Sequence, residues 1–211
     1  MTKEKILEKL LMIKPEYGYN EWAELVEAMK QDIRDENNRR NGKANCAKLA
    51  KNIMKNAPDN SPKFKHAKTI DGIQYVLDGH RIACFFDTLD LPEWTETPDW
   101  FGVADFMDKI EYTTEALTLP SISELKAAIK IAKAEKKPKC SYVFQTEAGE
   151  KVMVDARYLL EFMEGFREMK LYPAAGNVSR SPLYIESPDG AGVLLPIVMK
   201  EDREPGFHSM S

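Results

Sequence analysis

The sequence predicts an α+β protein of two similar units, each with helices packed on a mainly antiparallel sheet, preceded by a helical segment. Three observations predict it. Apolar residues recur at helical spacing in some stretches and run or alternate between Asp-Gly turns in others. The two halves repeat one order of elements: a lysine-faced helix, a proline, a hairpin and an apolar segment with an Arg shortly after an Asp. The length of 211 residues with 43% hydrophobic content is enough to bury a sizeable core without disulfide or metal staples. The boundaries follow the changes in texture: 1–40 as the helical segment, 41–115 and 116–200 as the two units, and 201–211 as a tail.

Residues 3–13 place Ile6, Leu7, Leu10 and Leu11 on one stripe of a short helix, which Pro15 and Gly18 break. Asn20 can cap a second helix carrying Trp22, Leu25, Val26 and Met29. The run DENNRRNGK reads as a polar linker with a turn at Asn41-Gly42. A helix over 44–56 puts Cys46, Leu49, Ala50 and Ile53 on one face and Lys48, Lys51 and Lys55 opposite. Residues 63–86 are extended, turning at Asp71-Gly72 and passing through IQYVL into DGHRIACFF. An acidic loop over 87–100 leads to a short helix at 102–110.

In the second half, Leu117, Leu119 and Ile122 suit a strand or a loop packed on the core. Ser123 can cap a helix reaching about 137, with Lys126, Lys130, Lys133 and Lys137 along one stripe and Pro138 to stop it. A hairpin over 140–155 crosses Glu147-Ala148-Gly149. A helix over 156–165 buries Tyr158, Leu159, Phe162 and Met163. Strands follow at 169–173, 182–187 and 192–199, the last two joined at Asp189-Gly190.

Charge and chemistry exclude several classes. The net charge of -4 hides basic blocks over 36–70 and 126–139 and an acidic block over 86–124, which predicts distinct basic and acidic faces. Cys46, Cys84 and Cys140 are far apart and form no CxxC, so neither a disulfide framework nor a zinc finger is written here. The 3 histidines make a histidine-rich metal site improbable, and no metal or cofactor is expected. There is no nucleophile elbow, P-loop, HExxH or GxGxxG, and Asp78 with His80 lacks a third partner, so no enzyme is expected. No apolar run reaches about 18 residues and no signal peptide opens the chain, so a cytoplasmic location away from membranes is expected.

Two segments resemble one family. The run Asp78-Gly79-His80-Arg81-Ile82-Ala83, closing a strand, resembles the D-G-H-R-L-A of the middle domain of the bacterial DNA sliding clamp, the beta subunit of DNA polymerase III. The run Val154-Asp155-Ala156-Arg157-Tyr158-Leu159-Leu160, then Val193-Leu194-Leu195-Pro196-Ile197, resembles that clamp's last domain, with its N-A-[RK]-Y-L-L helix start and proline-bearing closing strand. The match is firm over about 70–86 and 151–199. The family's first domain has no counterpart, and residues 1–40 stand in its place.

The resemblance implies two DNA-clamp-like units and a non-enzymatic protein of DNA replication or repair. It implies helices whose lysines face duplex DNA without sequence preference, here Lys48, Lys51, Lys55, Lys126, Lys130, Lys133 and Lys137. It also implies a cleft for short hydrophobic motifs of polymerases and repair proteins, carried over to Gly79, His80, Arg81, Ile82, Val193, Leu194, Leu195, Pro196 and Ile197. A second reading stays beside it: a clamp-derived interaction protein, mobile-element encoded, that binds protein partners without encircling DNA.

Overall fold

A computed structural model of the chain describes residues 2–13, 18–96, 102–137, 140–176 and 179–197. Residues 97–100 of the expected acidic loop, Pro138, the last part of the expected closing strand and the tail lie outside them.

The chain starts with two antiparallel helices, α1 (Lys3–Met12) and α2 (Tyr19–Arg40). Lys3 pairs with Asp32 and Glu36, while Trp22 Nε1 donates to the Leu10 carbonyl, which fixes the direction. The linker expected over DENNRR is instead the last turns of α2. Pairs one turn apart, Gln31 with Asp35 and Arg40 with Glu36, support helix there. Asn38 is buried because its side chain accepts from the Asp90 amide at 2.9 Å and donates to the Asp90 carbonyl at 2.8 Å. A polar run that looks solvated in the sequence is the counterpart of a distant loop. Gly18, in the left-handed region at φ 71°, precedes α2 where Asn20 was expected to cap it.

Helix α3 (Ala44–Asn56) follows, then a 3-10 turn (Pro62–Lys65) and strands β1 (Lys68–Ile70), β2 (Ile73–Leu77) and β3 (Arg81–Phe85). Helix α4 (Val103–Asp108) is short. Helix α5 (Ile122–Ala134) is capped by Ser121 rather than Ser123. The Ser121 hydroxyl accepts from the Glu124 amide while the Glu124 carboxylate accepts from the Ser121 amide, a reciprocal capping box. Next come the hairpin β4 (Ser141–Gln145) and β5 (Lys151–Asp155), helix α6 (Ala156–Gly165), and strands β6 (Lys170–Pro173), β7 (Leu183–Ser187) and β8 (Gly190–Leu194). The closing strand therefore stops before Pro196, which has no amide to give a ladder.

Two units with a sheet each were expected; the structure corrects this. One six-stranded sheet runs β1-β2-β3-β8-β7-β6, with every neighbour antiparallel, and joins the halves through β3 and β8. Helices α3 and α6 pack on each other and share one core with it. The repeat read in the sequence does not hold in its own register, because the segment set against β3 is helix α6; a helix followed by three strands recurs instead as α3 with β1–β3 and α6 with β6–β8. The pattern in one sequence could not distinguish separate sheets from one shared sheet.

Strand alternation sorts the two faces of this sheet. Val76, Ala83, Ile185 and Leu171 face α3 and α6, together with Leu49, Ile53, Leu159 and Phe162. Gly192 lies under Phe162, where a Cβ would come within 2.8 Å of the ring. Leu77, Ile82, Val193 and Tyr184 form a cross-strand row on the opposite face, with Val103 and Met107 of α4 packed in the same cluster. The β6 edge of the sheet is covered. The Leu117 amide donates to the Leu171 carbonyl at 2.7 Å and the Thr113 amide to the Pro173 carbonyl at 2.9 Å, so residues 111–117 are a loop laid along β6. Ala67, just before β1, bridges to Glu93.

Candidate functional site

The Asp78–Arg81 turn is built from its own chemistry. Gly79 sits at φ +87°, a conformation that L side chains avoid. The Asp78 carboxylate accepts from the His80 and Arg81 amides, both at 3.0 Å, and so pins the turn. Arg81 then points inward on the helix side. Its Nε donates to Asp78 at 2.8 Å, Nη1 to Glu161 of α6 at 2.6 Å and Nη2 to the Asn52 carbonyl of α3 at 3.4 Å. Its guanidinium carbon stands 4.1 Å from the Tyr158 ring centre. The side chains of Arg81 and Asp78 are both fully shielded from solvent. Arg81 is thus the node that ties β3 to α3 and α6.

The second half uses the same device at its surface. Asp155, just before α6, accepts from the Arg157 amide at 2.9 Å and from its guanidinium at 2.7 Å. Burial alone would push the Asp155 carboxyl up, but the Arg157 bonds hold it below its ordinary value.

On the opposite face, residues of both segments meet. An apolar groove of about 280 Å³ is lined by Phe64 of the 3-10 turn, Leu77, Gly79, Arg81, Ile82, Phe106 of α4, Val193 and Leu195. Of the residues carried over from the family, Gly79, Arg81, Ile82, Val193 and Leu195 line it, Arg81 with its guanidinium turned away to Asp78 and Glu161. The others do not. His80 stacks on Tyr158, with ring centres 6.1 Å apart. Leu194 is buried in the helix-side core. Ile197 donates its amide to the Met153 carbonyl at 2.7 Å, so residues 195–197 lead away toward β5 with Pro196 between. Phe64, Leu77 and Phe106 are lining residues that the sequence pattern did not single out. Leu77 lies opposite Ile82 in the register, a signal that was available. Phe64 and Phe106 come from a turn and a short helix that only the tertiary fold brings over.

The lysines divide by surroundings. Helices α3 and α5 flank α6, and Lys48 and Lys126 both reach Glu164, at 3.1 and 2.8 Å. Lys126 and then Lys48 hold the Glu164 carboxyl below its ordinary value of 4.5. Lys51 is engaged by Asp35 of α2, and burial lowers its pKa first, with the Arg34 charge adding to it. Lys137 pairs with Glu135 at 2.7 Å. Lys55, Lys130 and Lys133 are exposed and make no ion pair among the described residues. Lys48 of α3 and Lys126 of α5 therefore meet over Glu164 of α6, with Lys51 turned into the α2–α3 junction.

A second hollow, of about 430 Å³, lies beside Cys46, Phe86, Arg167 and Asp189. It is polar and internally paired: Arg167 forks onto Asp189 at 2.6 Å. The Cys46 thiol, pushed up to about 11 mainly by burial, is held as a neutral donor to the Gly165 carbonyl. Among the described residues, no group of three or more His, Cys, Asp or Glu is placed to hold a metal ion, and no helix is long and apolar enough to cross a membrane.

No family model and no curated protein sequence matches this chain. Among solved structures, the chain is similar to the Helicobacter pylori beta clamp bound to a DNA ligase peptide. The identity is 12%, the TM-score 0.44, and the alignment covers 71% of this chain and 62% of that one. The chain thus spans under two thirds of the length of the clamp it matches.

Proposed function

We propose that this chain is a non-enzymatic interaction protein of the sliding-clamp type that takes a short apolar peptide motif in the groove beside α4. One observation carries this reading. The two segments that resemble the clamp, far apart in sequence, meet across β3 and β8, and their outward side chains Ile82, Val193 and Leu195 line a single apolar groove. Aliphatic and aromatic walls suit the Leu and Phe anchors of such motifs, and the adjoining strand end and turn offer backbone groups to orient them. The loop over 111–117 laid along β6 favours an interaction protein over a ring closed through that edge of the sheet. The test is fluorescence anisotropy of a labelled Gln-Leu-Ser-Leu-Phe peptide against the chain and its Leu195→Glu and Phe106→Glu variants. Saturable binding that both variants abolish is expected. Binding that survives both would sink the groove.

Contact with duplex DNA is a second proposed activity, supported by Lys48 and Lys126 meeting over Glu164 and by the exposed Lys130 and Lys133 on the same helix as Lys126. Such contact is electrostatic, so its affinity falls steeply with salt. A labelled duplex titrated at two salt concentrations tests it, and an affinity independent of salt would remove it.

A further inference from the structure

We propose that the peptide site has a second, cation-selective end, where Tyr112, Tyr184 and Glu186 receive an arginine side chain of the partner. This rests on the groove being a peptide site.

The first support is continuity. Leu77, Ile82 and Val193 line the groove and stand side by side on β2, β3 and β8. The same register continues from Val193 to Tyr184 on β7 and from Tyr184 to Tyr172 on β6. Directly opposed residues lie about 4.5–5.5 Å apart, so Tyr184 is one strand beyond the groove and Tyr172 two. An extended peptide rising about 3.3 Å per residue covers that distance in about two or three residues.

The second support is the aromatic surface. Tyr112 lies flat against Tyr184, with ring centres 4.2 Å apart and planes within 7°. Its ring centre is 5.5 Å from that of Tyr172. Tyr112 is held by a bridge to Ala174 and by the neighbouring Thr113 amide, which donates to the Pro173 carbonyl. Yet 43% of Tyr112 stays exposed. One face of its ring is spent on Tyr184, and the exposed remainder offers a π surface on which a planar guanidinium stacks.

The third support is charge. Glu186 is exposed and stands two residues from Tyr184 on β7, hence on the same face of the sheet. Its Oε2 accepts from the Tyr172 hydroxyl at 2.9 Å, which holds the carboxylate beside the rings. Asp108, at the end of α4, adds to the negative surroundings. The Tyr184 hydroxyl is pushed up to about 12, chiefly by burial, and then by Tyr112, Cys84, Glu186 and Asp108. Lys170 faces Glu186 in the register, but the two make no ion pair among the described residues. An aromatic face with a carboxylate beside it selects a cation, and arginine can both stack on the ring and fork onto the carboxylate.

The experiment measures fluorescence anisotropy of the labelled Gln-Leu-Ser-Leu-Phe peptide lengthened by Ser-Arg at its C-terminus or by Arg-Ser at its N-terminus. Each is compared with a counterpart that has Gln in place of Arg. The proteins are the full chain and its Glu186→Gln and Tyr112→Leu variants. The expected result is binding about five-fold tighter with Arg than with Gln at one of the two ends, the size of one exposed cation–ring contact with a carboxylate beside it. The gain should vanish in both variants, which should bind the Gln counterparts as the unaltered chain does. Glu186→Gln alters an exposed side chain and keeps the test decisive if Tyr112→Leu disturbs the loop over 111–117. Equal affinity of the Arg and Gln peptides at both ends overturns the inference and leaves the groove intact as a peptide site. A gain that survives Glu186→Gln overturns it too, because the arginine then sits elsewhere. No binding of any of these peptides removes the groove as a peptide site and the inference with it.

Discussion

Replacing Arg81 with Ala separates the structural role of the Asp78–Arg81 turn from a binding role. The resemblance places Arg81 at a ligand cleft, whereas its guanidinium is spent on Asp78, Glu161 and the Asn52 carbonyl behind the groove. Asp78, fully shielded beside Arg81, would keep only the two amide bonds of its own turn in Arg81→Ala. Removing one partner of a buried ion pair in this way costs about 3–5 kcal/mol, because the remaining charge is neither solvated nor paired. With a urea dependence of about 2–3 kcal/mol per molar, the unfolding midpoint falls by about 1–2.5 M. Urea denaturation followed by far-UV circular dichroism reads this directly. Arg81→Lys keeps the charge but not the fork and should fall between the two. A stability loss under about 1 kcal/mol, combined with lost peptide affinity, would refute the assignment and return Arg81 to the cleft.

Four other outcomes are expected. Gly190→Ala puts a Cβ onto the Cys84 carbonyl across the β3–β8 ladder, backbone that cannot step aside, so it should cost at least about 1–3 kcal/mol by the same denaturation. Glu164 has a folded-state pKa below 4.5, so its pairs with Lys48 and Lys126 contribute stability that is present above pH 4.5 and lost as pH falls through the lowered value. Glu164→Gln should therefore flatten the acid limb of the stability profile slightly, as suits an exposed pair, while raising DNA affinity by freeing both lysines. Lys130→Glu with Lys133→Glu should lower the slope of log affinity against log salt by about one for each phosphate no longer neutralised, and an unchanged slope would place DNA elsewhere. Cys46 and Cys84, both pushed up to about 11 chiefly by burial, should react with iodoacetamide at pH 8 far more slowly in the folded chain than in urea.

Much of the element order was legible in the sequence, because each helix carries its own signals. Leu49, Ala50 and Ile53 are buried on α3, Leu159 and Phe162 on α6, and the hairpin turn at Asp71-Gly72 has both residues at positive φ. What was not legible depends on partners distant in the chain. Asn37 and Asn38 read as linker residues because their partner, Asp90, sits on a loop with no pattern of its own. The sharing of one sheet between the halves depends on β3 meeting β8, which period and composition do not specify. Of the groove's lining residues, Gly79, Arg81, Ile82, Val193 and Leu195 were legible, since the two resembling segments meet at it. His80, Leu194, Pro196 and Ile197 were misplaced because a segment near a cleft need not present every side chain to it.

The β3–β8 ladder has a further consequence, for how the molecule comes to be folded. Arg81 pairs with Leu194 and Phe85 with Gly190, so the central seam of the sheet joins strands from opposite halves of the chain. During synthesis, β3 emerges long before its neighbour exists, and it waits with an unsatisfied edge and an apolar face. Pairings of such long sequence separation slow folding, and they make the early chain a client for chaperones. A fragment cut between the halves would carry that exposed strand permanently and should aggregate, whereas the two fragments expressed together have the seam to find.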